Sequence, residues 1–143
     1  MKFGQKTVTF VAALVLLVIF QSAGSAAELK WGSDLKKAAI ESQKTGKPIL
    51  ITFTASWCHY CHKLLDETFT DQKVIARVNE YFVPVVLDAD ENDRAVELLS
   101  IEAFPSTVVI SPELNVIGRI RGFLPAPQMA QQLAPFCKKK QTQ

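Results

Sequence analysis

Residues 49–63 read ILITFTASWCHYCHK, and the order of pieces within them decides the fold. Ile49 to Thr54 is uncharged and β-rich, which suits a strand buried on both faces. Ala55–Ser56–Trp57 is a turn. Cys58 then opens a helix that carries Cys61, His62, Leu64 and Leu65. A CxxC pair placed there has a chemical use. Two sulfurs separated by two residues can meet across one helical turn, and the first turn aims free N–H groups and a positive dipole end at the first sulfur. The thiolate is the attacking species in disulfide exchange, so stabilising it primes attack. Cys58 therefore reads as the attacking thiol, and Cys61, one turn inside the helix, as the resolving thiol. A protonated His59 beside Cys58 would favour the thiolate further. Tyr60 is expected on the surface around the pair, and Trp57 is expected to shape a platform for substrate.

Working outward, the chain alternates helix and strand. Ser33 or Asp34 can cap a helix through Thr45, with Leu35, Ala38, Ala39 and Ser42 on one face. Gly46 ends it and Lys47–Pro48 prevents continuation. After Asp71 a second helix carries Val74, Ile75 and Val78 at helical spacing. Phe82 to Leu87 is a second buried strand, in which Pro84 is an anomaly. Asn92 caps a short helix through Leu99, and Phe104–Pro105 breaks the chain. Thr107–Ile110 and Val116–Arg121 form a hairpin around residues 111–115. Gly122 punctuates before a final helix from about Pro125 to Cys137, with Met129, Leu133 and Phe136 facing inward and Pro135 disturbing its last turn. This order describes an α/β layer fold with a mixed sheet.

The 143 residues suffice for one domain, and 48% are apolar. The first residues belong to a different class. Lys2 and Lys6 precede an apolar run from Val8 to Phe20, followed by the small residues Ser22, Ala23, Gly24, Ser25, Ala26 and Ala27. Charge, apolar run and small-residue exit describe a secretory signal peptide over residues 1–27, cleaved near Ala27, and residues 28–143 are the expected domain. The apolar run holds about 13 residues, short of the roughly 20 that span a bilayer as a helix. An exported, periplasmic location follows as the expectation. The chain carries 16 basic and 14 acidic residues, and two of the basic ones are the leader's Lys2 and Lys6, so the remainder is neutral. That balance gives no sign of nucleic acid as a partner, and Lys138–Lys140 reads as a solvated tail. Three cysteines, two of them in one CxxC, do not make a structural disulfide framework. Cys137 reads as a buried free thiol, with intermolecular pairing as its sharper alternative. No oligomerisation element is visible, so a monomer is the expectation.

The stretch from Trp31 to about Cys137 resembles the thioredoxin-like family. The resemblance is carried by ILITFT, by Ala55–Ser56–Trp57–Cys58–His59–Tyr60–Cys61–His62–Lys63, by Phe104–Pro105–Ser106–Thr107 and by Gly122. It implies a central mixed sheet flanked by helices and dithiol–disulfide exchange with exported protein substrates, with no cofactor. It also implies a cis peptide before Pro105, setting the Phe104 backbone against Cys58 for a substrate strand to pair with. Within the family, Trp-Cys-His-Tyr-Cys-His, Asp66–Glu67–Thr68–Phe69 and residues 79–82 are similar to small exported bacterial thioredoxins. They are also similar to the C-terminal domain of the inner-membrane thiol reductant transporter. This branch implies a reductant fed by a membrane-bound redox partner. The sequence departs from thioredoxins at Thr52, where they carry a buried Asp, and at Val86, where they carry the accompanying Lys. The carboxylate that assists proton transfer from the resolving thiol is thus missing, and Glu67 is the candidate relay if its helix turns it inward.

Other readings of the same residues stay open at this level. Cys58-x-x-Cys61-His62 is also the attachment signature of a c-type haem, with His62 as proximal ligand and Met129 as the sole sixth ligand in the mature chain. The α/β context argues against it. A zinc site would need ligands more widely spaced than Cys58, His59, Cys61 and His62. A non-catalytic thioredoxin-like binding module is the third alternative.

Overall fold

The computed structural model describes residues 26–137. The leader expected over residues 1–27 therefore lies outside it except for Ala26 and Ala27, and so does the lysine-rich tail. Helix α1 spans Leu35–Thr45 and strand β1 Ile49–Thr54. Helix α2 (His59–Lys63) continues into a π-helical turn, Leu64–Thr68, and is followed by α3 (Gln72–Tyr81). Strand β2 (Val83–Asp88) leads through a 3-10 turn to α4 (Asp93–Leu98). Strands β3 (Ser106–Ile110) and β4 (Val116–Arg121) precede α5 (Ala126–Leu133).

The sheet order is β2-β1-β3-β4. β1 runs parallel to β2 and antiparallel to β3, and β3 and β4 form the antiparallel hairpin. The sheet is mixed, with helices on both faces. Side chains alternate across a strand, so neighbouring residues feed different layers. Ile49, Ile51, Phe53 and Val108 join Ala38 of α1 and Leu99 in one core cluster. Leu50 and Val109 join Leu64, Val74, Val78, Met129 and Leu133 in the other. The helix carrying the cysteines belongs to this second layer, and Thr52 shares its face with Leu50.

Local chemistry explains most boundaries. The Asp34 carboxylate caps α1 by accepting from the backbone N–H of Lys36 and Lys37, and Asp71 caps α3 by accepting from Lys73 and Val74. Gly46 ends α1 in the left-handed region with φ 74°. Several elements differ from the sequence reading, among them β2, α4 and the last helix. β2 begins one residue later, because the Phe82 N–H is still bonded to the Val78 carbonyl of α3. Asn92 stands at the start of α4 without a side-chain cap, its amide donating instead to the Asp88 carbonyl. The last helix stops at Leu133 and tightens to a 3-10 turn, Ala134–Phe136, around Pro135.

The Pro84 anomaly resolves through topology. β2 is an outer strand of the four, and its free side meets Gly32, whose N–H donates to the Pro84 carbonyl while the Val86 N–H donates to the Gly32 carbonyl. The backbone of Pro84 and Val86 therefore faces away from β1, and the missing N–H of Pro84 costs the β1–β2 ladder nothing.

Candidate active site

β1 ends at Thr54 and hands the chain to the turn at residues 55–57, closed by the Cys58 N–H donating to the Ala55 carbonyl at 3.0 Å. Cys58 is the N-cap of α2 and not its first helical residue. This puts the Cys58 Sγ in front of the first turn, where the Cys61 N–H donates to it at 3.2 Å. The two cysteines form a disulfide, with Cα atoms 5.3 Å apart. Cys61 is 1% exposed and Cys58 7%. Both sulfur-bearing residues are buried, Cys61 the more completely. Both pack with Ala55, and Phe104 leans on the group.

Around this pair the structure assembles residues from three distant parts of the chain. Trp57 is 68% exposed, and its indole stands edge-on to Phe104 with ring centroids 5.9 Å apart. The Phe104–Pro105 peptide is cis, and Pro105 is buried. Its carbonyl accepts from the Gly122 N–H at 2.8 Å. Gly122 has φ 77°, where a side chain would be strained, which accounts for glycine here. On the other side, Tyr60 is exposed, edge-on to His59 and tilted against Phe123. The Lys63 ammonium lies 4.8 Å above the Phe123 ring. The His62 ring Nε2 lies 3.0 Å from the Ser56 carbonyl oxygen.

Phe123 was invisible in the sequence as a site residue. Its neighbour Gly122 carries the family resemblance, but nothing in the local pattern points to the ring beside it. Phe123 comes to the site because the buried Thr68 hydroxyl in the π-helical turn donates to the Leu124 carbonyl at 2.5 Å, fastening residues 122–124 against the cysteine-bearing helix.

Two expected features take a different form. Glu67 does not turn inward: its side chain is 60% exposed and lies 4.0 Å from the Lys63 ammonium. At the position of the missing carboxylate, Thr52 is fully buried and its hydroxyl lies 3.4 Å from that of Thr107 on β3. A buried pair of neutral hydroxyls therefore joins β1 to β3 at this position. Met129, the sixth ligand of the haem reading, is fully buried in the core with Leu133. Cys137 is a free, half-buried thiol.

The geometry has counterparts among known proteins. The sequence model of the thioredoxin-like domain matches residues 35–136. The chain is 34% identical over 98 residues to the thiol:disulfide interchange protein DsbD of Campylobacter jejuni (strain RM1221), an alignment covering 66% of this chain and 17% of that protein. The chain thus spans about a sixth of that relative's length. Among solved structures, a thioredoxin from Thermus thermophilus superposes with TM-score 0.70 at 21% identity, covering 77% of this chain and 88% of the other. The oxidised C-terminal domain of Neisseria meningitidis DsbD gives 0.64 at 19% identity, with 74% and 98% covered. At these identities the structural likeness speaks for the fold.

Proposed function

The chain belongs to the thioredoxin-like family, and from that membership we propose that it is an exported thiol–disulfide oxidoreductase that reduces protein disulfides and is recharged by a membrane-bound redox partner. The carrying observation is the Cys58–Cys61 disulfide at the start of α2, with the Cys61 N–H on the Cys58 sulfur. In the reducing direction the Cys58 thiolate attacks one sulfur of a substrate disulfide. A new S–S bond forms, the substrate bond breaks, and one substrate thiolate leaves. The Cys61 thiolate then attacks the Cys58 Sγ, expels the second substrate thiolate and leaves Cys58–Cys61 oxidised by two electrons. The N–H bond to the Cys58 Sγ stabilises that sulfur whenever it carries negative charge. The Trp57–Phe104 and Tyr60–Phe123 pairs flank the reacting sulfur with apolar surface for a substrate chain, and the backbone at Phe104 is where an extended substrate would pair.

The similarity to a thiol:disulfide interchange protein supports the exchange chemistry. The leader pattern of residues 1–27 supports export to the periplasm with cleavage near Ala27, and the branch resemblance supports the reducing direction. A Cys61→Ser variant tests the assignment. It should accumulate mixed disulfides through Cys58 that dithiothreitol releases, while the wild-type chain turns over a model protein disulfide. A wild-type chain that neither reduces nor oxidises such a substrate would falsify the catalytic reading and leave a binding module. The reducing direction expects a Cys58–Cys61 potential near the thioredoxin value of about −270 mV, and a potential near the about −120 mV of strong oxidants would reverse it.

A further inference from the structure

We propose that His62 is a positioning residue for the Cys58–Cys61 pair, acting as a latch across the turn that the disulfide closes. This inference rests on the exchange reading above. The imidazole Nε2 lies 3.0 Å from the Ser56 carbonyl oxygen. A carbonyl only accepts, so the bond requires the ring proton on Nε2. The latch runs from residue 56 to residue 62, and both cysteines lie inside that span. Ser56 and Trp57 are exposed, and the imidazole ties this exposed side of the turn to α2. The backbone completes the closure, with the Cys58 N–H on the Ala55 carbonyl and the His62 N–H on the Cys58 carbonyl at 3.3 Å.

The consequence is chemical. Once the pair is reduced, the covalent constraint is gone, and Cys61 must find Cys58 again to close the ring. A hydrogen bond across the same turn keeps the two sulfurs together and raises their effective concentration. The latch therefore favours the intramolecular disulfide over bonds to outside thiols, and it speeds the attack of Cys61 on a mixed disulfide held at Cys58. His62, which the sequence offers as a haem ligand, thus acquires a role in disulfide closure.

The test is equilibration of the purified chain with reduced and oxidised glutathione at fixed pH, read by alkylation and mass. In this reaction the dithiol loses two protons and two electrons to form Cys58–Cys61, and one oxidised glutathione takes them up as two thiols. His62→Ala should lower the equilibrium constant for closing the disulfide by about 3- to 10-fold, the range of one modest hydrogen bond. His62→Gln places an amide nitrogen near the Nε2 position and should restore it to within about twofold. His62→Asn, whose amide falls short, should behave as Ala. An unchanged constant in His62→Ala overturns the latch. So does a loss that Gln fails to rescue, which would mark His62 as merely structural. If the wild-type chain does not equilibrate with glutathione at all, the exchange reading itself fails, and the two failures are thereby distinguished.

Discussion

Cys137 closes the last 3-10 turn of the domain. Its thiol donates to the Leu133 carbonyl at 3.3 Å, and it packs against the core beside Phe136. Burial is the main cause raising its pKa above that of an ordinary thiol; Arg77 opposes this and Glu80 adds to it. The folded chain thus holds this proton to higher pH than the unfolded chain does. The sign follows: the associated stability is complete below the unfolded thiol's pKa and is lost as pH rises through the raised folded value. Iodoacetamide at pH 8 should therefore alkylate Cys137 more slowly than free glutathione, and Cys137→Ser should leave disulfide exchange unchanged. Alkylation as fast as that of free glutathione would contradict the burial argument. The contrast with Cys58 is one of placement: the Cys137 thiol donates to a helix carbonyl, whereas the Cys58 sulfur accepts from a backbone N–H at a helix start.

At the level of elements, the hairpin illustrates what hydrophobic pattern leaves out. Val116–Arg121 was legible as a strand from its β-rich ends, yet Gly118 in its middle had no explanation. Strand glycines weaken a strand unless something approaches closely. Here the Phe136 ring does: a Cβ on Gly118 would collide with it. Gly118→Ala should displace Phe136 and cost about 1–3 kcal/mol, the usual range for overpacking. A lowered urea midpoint at unchanged slope would show it, and an unshifted midpoint would mean that the 3-10 turn yields freely. The π-helical turn after α2 was likewise unreadable. Its residues Leu64 to Thr68 carry no local mark of a π turn, and its last residue, Thr68, is tied to the Leu124 carbonyl 56 residues further on.

For the whole molecule, the segment before the first helix belongs to the domain although the family match begins only at residue 35. Gln72 and Asn79 of α3 donate to the carbonyls of Ala27 and Glu28. Trp31 stands edge-on to Phe69 at 5.0 Å, and Gly32 covers the outer side of β2. In the chain that begins at Glu28, removing residues 28–34 should cost more than about 2 kcal/mol of stability, as expected for uncovering a large aromatic contact, while the Cys58–Cys61 pair still forms. A truncated chain with an unchanged melting temperature would show that the segment is dispensable. The sequence by itself determined the order of elements, the layer class and the reactive pair, because hydrophobic period, capping residues and a CxxC after a buried strand are all encoded within a few neighbouring residues. Only the tertiary structure decided which residues surround that pair. Phe123 beside Tyr60, Thr107 across from Thr52 on the next strand and Glu67 turned to solvent depend on register and layer packing between segments far apart in the chain, and no local pattern records those.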